Sequence, residues 1–288
     1  MILDIYWGVE PIIFIQRFFG ESWSWFFKTV TELGDVEGVA LVFAMVFWIY
    51  GRRLAWCLIG AVVFVISVNL LIGSIIDVPR PNHPEIKVYR ELNLSSFPSG
   101  HTGTATIFWG MLTTLTHVPL VITVLVVVLV MLSRLYLGVH YLGDVIGGLI
   151  IGLILLKIYP MLWDIVLRWF NGRTFKLFLI LSLLVPISFF PFADSFPKGW
   201  EVFGASVGAA IGIPLELWYV HYSPTNISKQ KQIFKVIIGL SVLIIIVFNS
   251  HFLSNYESVG DAIGFALGSF WILFLAPMLF KHLGFSIS

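Results

Sequence analysis

Nine apolar stretches recur along the 288 residues, at about 36–50, 54–76, 100–117, 119–138, 141–160, 175–192, 200–219, 234–250 and 259–280. A helix needs roughly 17–25 such residues to cross a ~30 Å hydrocarbon core. In lipid every backbone polar group must find its partner within the protein, which restricts a chain of this pattern to a bundle of membrane helices. Composition points the same way: 58% of residues are hydrophobic and 11% charged, and the mean hydropathy is +0.95, outside the range of ordinary soluble domains. The expected fold class is all-α, a polytopic transmembrane helical bundle of eight or nine spans, since the first stretch is short. A formal net charge of +1 leaves no basic excess for nucleic acid, so none is expected as a partner. Cys57 is the only cysteine, which rules out an intrachain disulfide.

Three regions follow. Residues 1–35, with Trp7, Arg17, Trp23, Trp25 and Lys28 scattered among apolar residues, read as an interfacial or re-entrant segment. Residues 36–160 hold the polar motifs and form the core, and 161–288 add further transmembrane helices. Lys and Arg near span ends are enriched on the cytoplasmic side. With Arg52 and Arg53 inside, alternation also puts Arg168, Arg173, Lys176, Lys229, Lys231, Lys235 and Lys281 inside, and leaves Lys198 on the other face. The loop 77–98 then faces outside, toward periplasm or cell exterior.

Polar residues gather on that outer face, in Arg80-Pro81, in Pro98-Ser99-Gly100-His101, and in Ser133-Arg134 followed by His140 and Asp144. Each cluster sits at an expected helix end. Ser99 and Gly100 fall where a loop becomes a helix, so their N–H groups and the helix dipole suit an anion, while Arg80 and Arg134 offer guanidinium forks that match phosphate oxygens. His140 and Asp144 are four apart, which lets the carboxylate hold one ring nitrogen and leave the other to attack phosphorus. His101 remains to protonate the leaving alkoxide. Ionisable residues are costly in a membrane and tend to be functional, and their joint occurrence here weighs against a purely structural role. No cluster offers the His and carboxylate set of a hydrolytic metal centre, so neither metal nor cofactor is expected.

At these residues the chain resembles the type 2 phosphatidic acid phosphatases, a family related to vanadium haloperoxidases and bacterial acid phosphatases. The family pattern is K-x6-R-P, P-S-G-H and S-R-x5-H-x3-D. The second motif is complete as Pro98-Ser99-Gly100-His101, and the third as Ser133-Arg134, His140 and Asp144. The resemblance covers roughly residues 36–160. It implies a membrane hydrolase of lipid phosphates in which His140 becomes a phosphohistidine, Asp144 orients it, His101 is the acid, and Arg80, Ser99, Gly100 and Arg134 bind phosphate. The first motif departs from the family: seven positions before Arg80 stands Gly73 in place of lysine. Lys87, seven residues after Arg80, is the expected substitute.

Beyond the core, residues 201–212 (EVFGASVGAAIG) align with 257–268 (ESVGDAIGFALG), an internal repeat that places Gly204, Gly208 and Gly212 over Gly260, Gly264 and Gly268. Small residues every four positions let helices approach closely in lipid, so a packing seam is expected ahead of a second pocket or dimer face. The expected substrate is an amphiphile whose headgroup reaches the loop while its tail stays among membrane lipids: phosphatidate, phosphatidylglycerol phosphate, an isoprenoid diphosphate or a sphingoid phosphate. A lipid-to-lipid phosphotransferase on the same site, and a non-catalytic binding or transport protein on a decayed scaffold, are the alternatives.

The charge bias makes a direct prediction about orientation. A membrane-impermeant thiol reagent should label cysteines introduced in 82–95 of intact cells and miss those introduced in 224–232; the reverse pattern would turn the topology over.

Overall fold

The computed structural model describes residues 6–89, 94–170, 175–195, 199–224, 227–252 and 257–285. Arg173 and Lys198 of the orientation argument lie outside them. Each apolar stretch is helical. Two short helices, α1 (Glu10–Phe19) and α2 (Ser24–Thr31), precede α3 (Val36–Tyr50), α4 (Arg52–Ile76), α5 (Gly100–Leu115), α6 (Leu120–Tyr136) and α7 (Leu142–Phe170). There follow α8 (Phe175–Phe189), α9 (Gly199–Leu215), α10 (Lys229–Phe252), α11 (Glu257–Phe270) and α12 (Ala276–His282).

Fewer helices qualify as spans than the hydropathy pattern suggests. Among the described residues, four are long and apolar enough: Arg52–Ile76, Leu142–Ile165, Gly199–Val220 and Ser258–His282. A fifth arises if Glu21–Gly34 and Val36–Tyr50, bent by 57°, count as one broken span. The other apolar stretches fall short of that length-and-composition criterion; α5 and α6, for example, have only 16 and 17 residues. At 1.5 Å per residue these reach about 24–26 Å, short of a ~30 Å core.

The chain divides into two compact units, the first made of residues 1–43 and 56–168. Within it α5 packs on α6 around Ala105, Val126, Val127 and Val130, with Leu33, Trp109 and Leu149 at the edge. Glycines set how near α7 comes to the start of α5. A Cβ on Gly148 would fall 2.5 Å from the Ser99 carbonyl oxygen, and one on Gly152 2.6 Å from the Thr106 Cβ, so neither position has room for a side chain. This contact brings together two motifs more than thirty residues apart. The N-terminal segment belongs to the same unit: Ile12 of α1 packs with Ile86, Leu135 and Val145, and Phe27 of α2 packs with Tyr136, Leu137 and Val139.

The second unit comprises residues 44–55 and 169–288. Its centre is the repeat. A Cβ on Gly204 or Gly208 of α9 would lie 2.0 or 2.1 Å from the carbonyl oxygen of Ala262 or Ala266 on α11, so these glycines let the two backbones touch. Both copies then widen into a π-helical turn, Glu216–Val220 after α9 and Trp271–Leu275 after α11. Around that end Trp48 donates from Nε1 to the Ile272 carbonyl (3.0 Å), and Tyr222 donates its hydroxyl proton to the Trp48 carbonyl (2.7 Å).

Candidate active site

Helix α6 stops at Tyr136, and the chain turns through Gly138, whose φ of 71° lies in the left-handed region that glycine adopts without strain. Two residues later His140 falls in the connection, one position before the cap of α7. Asp144 sits in the first turn of α7, where its Oδ2 accepts the Tyr141 backbone N–H at 2.7 Å. An acidic residue reaching back to the cap N–H is half of a capping box, so the carboxylate that orients the histidine also starts the helix.

That carboxylate faces His140, with Oδ2 3.5 Å from Nδ1. The opposite ring nitrogen, Nε2, lies 3.4 Å from Nη1 of Arg80. Arg80 is held there by three carbonyl oxygens: Nη1 donates to Val139 (2.7 Å), Nε to Leu94 (3.0 Å) and Nη2 to Ser95 (3.2 Å). His140 and Asp144 are buried, so the ring is pushed down to about 3. Burial is the main cause; Asp144 opposes it, and the nearby charges of Arg134 and Arg80 add to it. The neutral imidazole, which is the nucleophilic form, is thus the resting state. Burial lowers Arg80 as well, partly offset by Asp144.

Arg134, in the last turn of α6, is fully buried and donates from Nη1 to the Thr31 hydroxyl at 2.8 Å. Ser99 caps α5, and its N–H donates to the Asp144 carbonyl oxygen at 3.0 Å. The expectation that this amide faces an anion is therefore corrected: its proton is committed to the neighbouring motif. The Ser99 hydroxyl accepts from Thr102 at 3.0 Å, and Gly100 opens α5. His101 lies on the first turn of α5, with Nε2 3.5 Å from Oδ2 of Asp35.

Lys87 does not take the place of the missing lysine. Its Nζ donates to Glu21 Oε1 at 2.8 Å and sits 5.3 Å from the centre of the Tyr89 ring. The pair raises the lysine and lowers the carboxylate. At the Gly73 position the backbone approaches the Phe97 carbonyl and Ser95, with 3.3 Å from a Cβ to that oxygen.

One member escaped the sequence reading altogether. Ser96 is fully buried, hydrogen-bonds through its hydroxyl to Asp144 Oδ2, and lies 3.5 Å from His140 Nδ1. The hydroxyl pair Ser95-Ser96, separated from the second motif by Phe97 alone, was the available signal.

A buried, neutral imidazole thus stands between a carboxylate on one nitrogen and a guanidinium on the other, with a helix start alongside, in a bundle of apolar helices. The comparisons with known proteins give that arrangement its family. The PAP2 superfamily profile matches residues 53–167, and that of the PAP2 superfamily phosphatase transmembrane extension matches 200–288. The chain belongs to the PAP2 superfamily.

Among its relatives is decaprenylphosphoryl-5-phosphoribose phosphatase of Mycobacterium tuberculosis, 37% identical over 35% of this chain and 57% of that protein. Sphingosine-1-phosphate phosphatase 2 of Mus musculus is 24% identical over 61% of this chain and 52% of that protein. The chain thus spans little more than half the length of these curated relatives. Of solved structures, a PAP2-type phosphatidylglycerolphosphate phosphatase from Bacillus subtilis is similar with a TM-score of 0.46 at 22% identity, over 58% of this chain and 88% of that one. LpxE of Aquifex aeolicus is similar with a TM-score of 0.47 at 25% identity, over 53% and 93%.

The depressed His140 has a consequence for stability. In the unfolded chain the ring takes up a proton near pH 6.5, whereas in the folded chain it does so only near 3. Between those values the unfolded state binds more protons, so this contribution to stability falls as pH falls. From about pH 7 to about pH 4.5, the thermal midpoint of the purified wild type should drop further than that of His140→Asn. Parallel drops would mean that His140 titrates normally.

Proposed function

We propose that this protein is an integral membrane phosphatase that hydrolyses a lipid phosphate at the extracytoplasmic face, through a phosphohistidine on His140. The observation that carries the reading is the two-sided setting of that ring, Asp144 at Nδ1 and Arg80 at Nε2. In the first step the Nε2 lone pair attacks phosphorus, the bond to the lipid oxygen breaks, and His101 gives that oxygen a proton. In the second, His101 takes a proton from water, the hydroxide attacks the phosphohistidine, and inorganic phosphate leaves as the ring is restored. The charges of Arg80 and Arg134, the Ser99 hydroxyl and the Gly100 amide stabilise the equatorial oxygens, while Asp144 stabilises the positive charge that develops on His140. Lys87 has no part in this scheme, and no metal or cofactor enters it.

The substrate class rests on the membrane helices and on the relatives, whose names describe phosphatases of a decaprenylphosphoryl phosphoribose and of sphingosine-1-phosphate. Both are phosphate esters of a membrane amphiphile. The outer face rests on the basic residues, which cluster in the connections on the opposite side from loop 77–98.

The test measures inorganic phosphate released from detergent-solubilised phosphatidate, phosphatidylglycerol phosphate, isoprenoid diphosphate and sphingoid phosphate, in excess chelator. His140→Ala should abolish turnover of every substrate. His101→Ala should lose roughly 10²–10⁴-fold on a lipid phosphate and recover part of that on nitrophenyl phosphate, whose leaving group needs little protonation. Equal losses for His101→Ala on both would reverse the assigned role. Transfer of phosphate to an acceptor lipid without release would favour a phosphotransferase.

A further inference from the structure

The segment before the first long helix is not merely an interfacial lead-in. Thr31 ends α2, and its hydroxyl accepts the proton of Arg134 Nη1. Four residues on, Asp35 places Oδ2 3.5 Å from Nε2 of His101; its Oδ1 accepts the Val36 N–H at 2.8 Å, and its carbonyl oxygen accepts the Val39 N–H at the start of α3. Asp35 is buried. Between the two, the chain is pressed onto α5: a Cβ on Gly34 would fall 2.6 Å from the His101 carbonyl oxygen, and Trp109 Nε1 donates to the Leu33 carbonyl at 3.1 Å. The approach leaves no slack, so Asp35 is fixed with respect to the histidine. Thr31, Leu33, Gly34 and Asp35 all lie outside 53–167, the stretch that the superfamily profile matches.

We infer that Asp35 is the positioning residue of the acid: it fixes His101 with Nε2–H toward its own Oδ2, so that Nδ1 is the nitrogen that protonates the leaving oxygen. The proposal deepens the reading of His101 given above and rests on it. A buried carboxylate beside one imidazole nitrogen sets the tautomer and stabilises the imidazolium. The site then contains two such pairs, Asp144 with the nucleophile His140 and Asp35 with the acid His101. Each ring turns a different nitrogen to its carboxylate, Nδ1 in His140 and Nε2 in His101. The two rings therefore present opposite nitrogens to the substrate.

The variant that isolates this role is Asp35→Asn, because asparagine caps a helix as well as aspartate does and removes only the charge. On a lipid phosphate its kcat should fall about tenfold or more with KM unchanged, and on nitrophenyl phosphate it should stay within about threefold of wild type. In a His101→Ala background the same change should cost nothing further, because the group it acts through is gone. Asp35→Ser, which also caps, carries the same test if asparagine is not tolerated. Equal losses on both substrates, a rise in KM alone, or an undiminished further loss in the His101→Ala background would overturn the proposal. Those results leave the phosphatase reading standing; a wild type that releases no phosphate from any lipid phosphate would overturn both.

Discussion

Asp144 carries a carboxylate with no exposure to water, in a molecule whose other solvent is lipid. Stripping a charge of its hydration costs several kcal/mol, and the structure keeps it only because neighbours replace the lost water. The Tyr141 N–H and the Ser96 hydroxyl donate to one oxygen, and His140 and the charge of Arg80 lie beside them. These partners come from different parts of the chain. The carboxylate thus joins the loop after α4, the turn after α6 and the start of α7, while the Asp144 backbone carbonyl takes in the start of α5 through Ser99. Removing it would leave the Tyr141 N–H and the Ser96 hydroxyl without their acceptor, at about 1–3 kcal/mol for each buried donor left unpaired, and would also free the nucleophile to rotate.

How near these segments come is decided by glycine. Gly148 and Gly152 on α7 lie against Ser99 and Thr106, where no side chain fits. The second unit uses the same device in its repeat, with Gly204 and Gly208 against the backbone of α11. Within a membrane there is little hydrophobic gain from bringing helices together, so close backbone contact supplies the dispersion and packing energy instead. In the first unit that closeness also has a chemical use, since it carries the cap of α5 to the base of Asp144.

Much of this was legible beforehand, and for a physical reason. Apolar stretches of helical length report the helices directly, and residues that are expensive in lipid mark the site, so Arg80, His101, Arg134, His140 and Asp144 all stood out. Hydropathy measures apolarity and not the length of uninterrupted helix, so it did not foresee that α5 and α6 are as short as 16 and 17 residues. Lys87 was read as a replacement cation from its distance along the chain, whereas Glu21, 66 residues away in sequence, holds its ammonium group. Spacing within a loop carries no information about a partner on another helix. For the same reason Thr31 and Asp35 were invisible. They are a hydroxyl and a carboxylate before an apolar run, ordinary features of a helix start, and acquire meaning only when α2 and α3 fold against Arg134 and His101. Ser96 was hidden differently, beside a motif but outside its pattern.

The central claim is that His140 attacks through Nε2, with Nδ1 turned to Asp144 and Ser96. It is tested most directly by mapping the phosphoryl group on the enzyme itself. Wild-type protein turning over a labelled lipid phosphate would be quenched in alkaline denaturant, which preserves phosphohistidine, and digested. The labelled peptide would be identified by mass spectrometry and the isomer by phosphorus NMR. The account predicts phosphate on Nε2 of His140. Phosphate on Nδ1 of that ring, on His101, or on no residue during active turnover would contradict it.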